Sequence, residues 1–391
     1  MVVKKLCIFS FCVLIFSACT KEERKIITVK NTLNIERTFE TVELTKEFLK
    51  VDSLTYLGVK DTDSNALMLS QLVDNNEDGV YDVLLFQPKV AANSVKKYEI
   101  VAIPLESKTK AQDICFSRFV PERTDDYAWE NDKVAFRVFG PTAQKMVEDS
   151  IPGGTLSSGV DAWLKRVNYP IINKWYKKNT DGGSYHEDNG EGLDNFHVGI
   201  SRGVGGITIK HEDSFYLSKN FTHWKTITTG PIRTSFYLKY EDWDANGHTI
   251  KESRIISLDL GSNLSKFEIS LNGSDSVLAG LTLHEKDGEV VSNDDNYWVS
   301  YWQPHGDSEL GTAIVATKKY FIDSEKYDTD KKDLSNAFAN LNVINDKVEY
   351  YAGFGWKKSG QFENKKAWEN YLNQFSLKIN NPFIIKLESN P

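Results

Sequence analysis

The 391-residue sequence predicts an all-β chain: a large antiparallel β-sandwich, a smaller β-sandwich before it, and a few short helices. Three observations carry this reading. Short segments of alternating apolar and polar residues recur along the chain, Asn, Asp and Gly clusters separate them, and sustained helical periodicity is scarce. The strand-like segments are not interleaved with helices, which argues against a parallel α/β sheet.

Taken in order, the chain opens with Lys4 and Lys5 followed by an apolar run from Leu6 to Phe16, too short for a permanent membrane span and expected to be a signal peptide over residues 1–18. The run ends in Phe16-Ser17-Ala18-Cys19, which resembles a lipobox in which Cys19 is acylated. Thr20-Lys21-Glu22-Glu23 resembles the acidic export signal of bacterial surface lipoproteins, so residues 19–24 are expected to be anchor and linker. The expected location is the cell envelope, at the outer membrane and facing periplasm or exterior, with the lipid as the only membrane contact.

Residues 25–115 read as the small sandwich, with strands from Ile26 to Val29, Thr38 to Leu44, Ala66 to Val73, Val80 to Phe86 and Lys97 to Ile103. Between two of them, Asp74, Asn76, Asp78 and Asp82 space side-chain oxygens in a way that can wrap Ca²⁺, although Leu85 stands where an EF-hand needs its bidentate acid. A polar linker over 106–128 leads into the large sandwich, assigned to residues 120–391. Its strands are expected at Val134 to Phe139, Gly205 to Lys210, Arg233 to Tyr240, Thr249 to Leu260, Ser265 to Leu271, Tyr297 to Trp302, Gly311 to Ala316 and Val348 to Trp356. Asn246-Gly247 makes a hairpin turn between two strands, because both residues accept positive φ. Helices are expected at Gln144 to Asp149, Ala162 to Val167 and Lys365 to Phe375.

Composition narrows the partners. Of four cysteines, Cys7 and Cys12 leave with the leader and Cys19 takes lipid, so Cys115 stands alone and stability must come from core burial. The net charge of −8 becomes −10 when Lys4 and Lys5 are removed, which speaks against a nucleic-acid partner. It leaves room for a local basic pocket. Nine Trp among 12% aromatics lean towards carbohydrate, since indole and phenol faces pack on the C–H faces of sugars.

The stretch from Trp129 to Gly206 breaks the alternation. It contains Trp129-Glu130-Asn131-Asp132, Arg137, Asp161-Ala162-Trp163-Leu164-Lys165-Arg166, Tyr169, and the run from Tyr185 to Gly199 that carries His186, Asp188, Glu191, Asp194 and His197, with Arg202 just beyond. A long glycine-rich polar segment between strands is the expected place for a site-forming loop.

These motifs, with Gly230-Pro231-Ile232-Arg233 and Gly353-Phe354-Gly355-Trp356, resemble a bacterial family of formerly unknown function that includes an oligosaccharide dehydratase from ulvan-degrading loci of marine Bacteroidetes. The resemblance implies a carbon–oxygen lyase that removes water from a terminal uronate, on a sandwich of the mutarotase or lyase supersandwich type. Such a reaction needs cations to neutralise the carboxylate and the enolate-like charge, a base for the C5 proton and an acid for the C4 hydroxyl. The expected catalytic set is His186, His197, Tyr185, Arg166 and Arg202. Lys165, Arg137, Trp129, Glu130, Asp132, Trp163 and Tyr169 are expected to bind an acidic oligosaccharide. Tyr169 is a second candidate acid. A divalent cation on Asp188, Glu191 and Asp194 with the two histidines is the weaker alternative. His284 and His305 could fold back onto the same pocket. The rival readings are a polysaccharide lyase, a glycoside hydrolase and a non-catalytic sugar-binding lipoprotein.

Overall fold

Period-two alternation in His248–Asp259 and Leu264–Asn272 sends Ile256, Leu258, Phe267 and Ile269 to one side of a sheet and Glu268 to the other. The computed structural model describes residues 24–104 and 113–388, so the leader and Cys19 lie outside the described residues. The sheet containing those strands has the most strands among the described residues. Its order is Phe221–Thr228, Arg233–Tyr240, His248–Asp259, Leu264–Asn272, Lys347–Trp356, Ser308–Ala316, Trp298–His305 and Glu289–Asn293, with Trp243–Ala245 paired beside it. The Ala245–His248 register closes a hairpin on Asn246 and Gly247, both at positive φ as expected.

Its apolar face packs on a five-stranded sheet ordered Ser214–Tyr216, Val204–His211, Ser276–Thr282, Asn336–Asn342 and Phe321–Tyr327. Phe267, Tyr350, Ala279 and Leu341 meet in the shared core. All named strand pairs are antiparallel, and four α-helices complete the described chain, so the fold is the all-β sandwich architecture that alternation indicates.

Two further sheets form the N-terminal region. Lys25–Lys30, Val95–Ala102 and Leu57–Asp61 belong to one, and Val42–Thr45, Val83–Phe86 and Ser70–Val73 to the other. They enclose Val29, Leu44, Leu84 and Tyr98. The C-terminal strand Ile384–Leu387 returns to pair with Lys25–Lys30, so the two ends of the described chain share a sheet.

A fifth sheet positions the site: Gly192–Leu193, Asp161–Lys165, Ala135–Phe139, Asp126–Glu130 and Phe116–Val120. It corrects two expectations. Residues 106–128 are not a linker throughout, because Phe116–Val120 and the start of Asp126–Glu130 are strands. Ala162 to Val167 is not helical, because Asp161–Lys165 pairs with Ala135–Phe139 in the register Asp161–Arg137. Alternation there is masked, since the outward residues Asp161, Trp163 and Lys165 are charged or large yet fully buried. They are covered by helix Ile172–Thr180, which the sequence reading did not find. The expected Gln144 helix runs over Pro141–Glu148, and the last helix over Lys365–Asn380.

Candidate active site

The outward face of this fifth sheet carries two ion clusters separated by Trp163. At one end Lys165 Nζ donates to Glu130 Oε2 at 2.7 Å and to the carbonyls of Asn131 and Tyr169, with both charged side chains fully buried. Glu130 also accepts from the amides of Ile171 and Ile172 at 2.9 Å, and so neutralises the N-terminus of helix Ile172–Thr180, which has no side-chain cap. This is a structural brace. The expectation that Lys165 and Glu130 bind substrate is corrected on that ground.

At the other end Arg137 faces three carboxylates: Asp161 at 2.6 Å, Asp194 at 3.0 Å and Asp126 at 3.5 Å. Burial pushes the Asp161 carboxyl well above the usual range, with Asp194 adding to it, and burial also raises Asp126 and Asp194. For Arg137 the attraction of the three carboxylates outweighs burial and holds the proton firmly. Asp161 Oδ1 has no hydrogen-bond partner, which suits a carboxyl that keeps a proton where negative charge is crowded. Arg137 therefore has no free fork for a substrate carboxylate. It anchors the floor of the site.

Above this floor lies a cleft of about 390 Å³ lined by Arg123, Arg137, Asp161, His186, Asp194 and His197, among others. His186 Nδ1 is 2.6 Å from the main-chain oxygen of Asp194. A carbonyl can only accept, so Nδ1 carries the proton and Nε2 presents a lone pair. His197 Nε2 is 3.1 Å from Asp333 Oδ2, while Asp333 Oδ1 is 3.2 Å from His284 Nδ1. One carboxylate thus orients two imidazoles. Burial lowers the pKa of His284, and it pulls His305 down to about 4, so both are neutral at pH 7. His305 Nε2 meets Asn195 Oδ1 at 3.0 Å, beside Phe196. The rings of His186 and His197 are 54% and 57% exposed, which leaves each open to a ligand.

Arg123 was not singled out in the sequence. Its Nε donates to Tyr185 Oη at 3.0 Å and Nη1 to Thr124, and no carboxylate among the described residues pairs with it. It is the guanidinium in the cleft with capacity to spare. Asp333 was equally invisible, because it reaches His197 from the turn between Phe321–Tyr327 and Asn336–Asn342. Gly199 is required beside this pair: it sits at φ +53°, and a Cβ there would lie 2.5 Å from Asp333 Oδ2 and 2.8 Å from His197 Nε2.

The other expected residues lie elsewhere. Tyr185 is buried, and its oxygen accepts from Arg137 Nη1 at 3.2 Å as well as from Arg123, so it spaces the two guanidinium groups behind the cleft. Arg202 is buried and spends its donors on Ser158 Oγ and the carbonyls of Ile207 and Ile200, while burial beside Arg254 lowers its pKa to about 10. Arg166 pairs with Asp188 at 3.1 Å outside the cleft. Trp129 is core and donates to Ser265, Trp163 stacks among Trp175, Tyr176 and Tyr185, and Asp132 accepts from the amide of Gly261. Tyr169 donates to Glu191, which also holds Lys174, at a neighbouring cleft of about 650 Å³.

The alternative divalent site does not assemble, because Asp188, Glu191 and Asp194 are drawn to Arg166, Lys174 and Arg137 respectively. In the Asp74–Asp82 loop, Asp74 accepts from the amides of Asn76, Glu77 and Gly79, and Asp82 from that of Asn75. The loop closes on its own backbone as an Asx-rich turn. Among the described residues no three His, Cys, Asp or Glu side chains are grouped to hold a metal ion.

A family model described as "Domain of unknown function (DUF4861)" matches residues 29–385. The chain belongs to the DUF4861 family. It is 55% identical to "Uncharacterized protein P7" of Formosa agariphila over 381 residues, 96% of each chain. Among solved structures, this DUF4861 protein is similar to a protein in glycosyl hydrolase family 38 from Enterococcus faecalis, at 10% identity and a TM-score of 0.50, with 95% of this chain covered. An α-mannosidase from E. faecalis V583 aligns with a TM-score of 0.44 at 10% identity, covering 94% of this chain. The chain spans about half the length of these two structures, 48% and 46%. At this identity the likeness to the family 38 protein concerns the fold.

Proposed function

We propose that this DUF4861 protein is a carbohydrate-active dehydratase that eliminates water from the non-reducing-end uronate of an acidic oligosaccharide of the ulvan type. The observation that carries the reading is that His186 and His197 open onto one cleft with one ring nitrogen of each tied to the protein and the other facing the cleft, beside Arg123, a guanidinium without a carboxylate partner among the described residues. A base, an acid and a cation are the three parts that the elimination requires.

In this mechanism Arg123 grips the uronate carboxylate and takes up the charge that builds on it as the C5–H bond breaks. His186 Nε2 accepts the C5 proton, while its Nδ1–H stays on the Asp194 carbonyl. The C5–H electron pair becomes the C4–C5 double bond, and the C4–O bond breaks with its pair on oxygen. His197, protonated and held through Nε2 by Asp333, donates from Nδ1 to that hydroxyl, which departs as water. Both rings are half exposed, so exchange with solvent resets them.

A glycoside hydrolase needs two available carboxylates facing each other across the bond. Asp126, Asp161 and Asp194 are all turned onto Arg137, which disfavours hydrolysis. A polysaccharide lyase would use the same three groups and expel a sugar. The test is incubation of the mature protein with uronate-ended oligosaccharides: an 18 Da loss with new absorbance of a C=C conjugated to carboxylate supports dehydration. Shortened products, or no change in mass, would sink it.

A further inference from the structure

Outside the site, an unexplained cleft of about 540 Å³ lies on the outer face of the long sheet, where the N-terminal region meets helix Lys365–Asn380. Its walls combine rings, Phe39, Tyr351, Tyr371 and Phe375, with the hydroxyls of Ser257 and Thr317. The charges around it are paired almost throughout. Arg233 holds Asp259 and Glu43, Lys266 holds Glu349 at 3.0 Å and Glu268 at 3.2 Å, and Arg37 holds Glu40. Lys378 is the exception. It is half-buried, no carboxylate among the described residues lies within ion-pair distance, and burial lowers its pKa.

The wall formed by Phe39 is held in place at a conformational cost. Phe39 has φ +57°, a region a bulky residue rarely adopts, and its ring is 57% exposed instead of packed in a core. Gln87 Nε2 pins this conformation by donating to the carbonyls of Phe39 at 3.3 Å and Leu260 at 3.0 Å, tying the N-terminal region to the long sheet. Gly261 faces the ring so closely that a Cβ would lie 2.6 Å from it. Backbone strain held in place by surrounding contacts clusters at functional sites, ligand clamps among them.

We propose that this cleft is a second, non-catalytic glycan site that takes one or two sugar units bearing an anionic group. Aromatic faces meet the C–H faces of the sugar, hydroxyl side chains meet its hydroxyls, and the unpaired Lys378 ammonium meets a carboxylate or sulfate. The site does not depend on the dehydratase reading, because none of its residues lines the His186–His197 cleft.

The experiment is calorimetric titration of the mature chain carrying His186→Ala, which blocks turnover, with a glucuronate-ended tetrasaccharide, a glucose 6-sulfate-ended one and a neutral glucose-ended one. Two binding events for at least one acidic probe, with one lost on Lys378→Met and weakened tenfold or more by Phe39→Ala, support the proposal. Which acidic probe binds there tells carboxylate from sulfate. Binding of both acidic probes untouched by Lys378→Met, no binding of either, or equal occupancy by the neutral probe would overturn it. A single event lost on Lys378→Met, when the unsubstituted chain never shows the 18 Da loss, would leave this site standing while the dehydratase reading falls.

Discussion

His186 Nδ1 lies 2.6 Å from the main-chain oxygen of Asp194, and this one contact decides which ring nitrogen faces substrate. Replacing His186 by Ala is expected to lower kcat by about 10²–10⁴ with little change in thermal stability, since general base catalysis supplies that range and the ring is half exposed. Single-turnover assay beside a melting curve checks it. Activity within tenfold of the parent chain would remove His186 from the mechanism.

Asp333 orients His197 and His284 together. Asp333→Asn should lower kcat by about 10- to 100-fold, as expected when a partner that fixes an imidazole is lost, and should change the pH profile on its acid-catalysed limb. Gly199→Ala should do the same by crowding the pair at φ +53°. A KM effect alone in both variants would argue that Asp333 positions sugar and not His197.

Arg123 has no carboxylate partner among the described residues, so its charge is available to the proposed substrate. Arg123→Met should reduce kcat/KM for uronate-ended oligosaccharides by about 10- to 100-fold, the size of a lost hydrogen bond to a charged group. If the same loss were seen with carboxyl-reduced substrates, the proposed grip would be wrong.

Lys165 and Glu130 are a fully buried pair that also neutralises a helix start. Lys165→Met is expected to destabilise the fold by about 3–5 kcal/mol, because Glu130 would keep an uncompensated buried charge. Denaturant unfolding measures this. The double variant Lys165→Met with Glu130→Leu should recover part of the loss.

His305 has a pKa held near 4 in the fold, against 6.5 ordinarily. An imidazole of this kind binds its proton more readily unfolded, so its contribution is complete above about pH 6.5 and is lost as pH falls towards 4. Over that window His305 should account for a loss of about 3 kcal/mol, from 1.36 kcal/mol per pKa unit. His305→Gln should flatten the acid side of a Tm against pH curve; an unchanged slope would exclude His305 as the source.

Much of the sandwich was legible because strands with one face in a shared core must alternate. Leu264–Asn272 follows that rule closely, and Asn246-Gly247 announces its turn. The fifth sheet was not legible. Both faces of Asp161–Lys165 are buried, one under a helix, and its polar residues are paired internally, so its pattern imitates an exposed helix. In the candidate site, composition singled out the loop that carries His186 and His197, which open onto one cleft, but local density of charge could not tell a residue free to meet a ligand from a structural brace such as Arg137. Lys165, Arg166 and Arg202 were satisfied by partners tens of residues away or by carbonyls.

Chain order by itself determined the class of fold and the family resemblance, and it marked the polar segment that lines the cleft, because periodicity and motif are local properties. Tertiary structure alone decided which cations are spent and which are free. It brought Asp333 and His284 to His197 across more than eighty residues, and it turned three aspartates onto Arg137 while leaving Arg123 unclaimed. The physical reason is that a side chain's electrostatic partner is set by distance in space, and burial makes that partner obligatory.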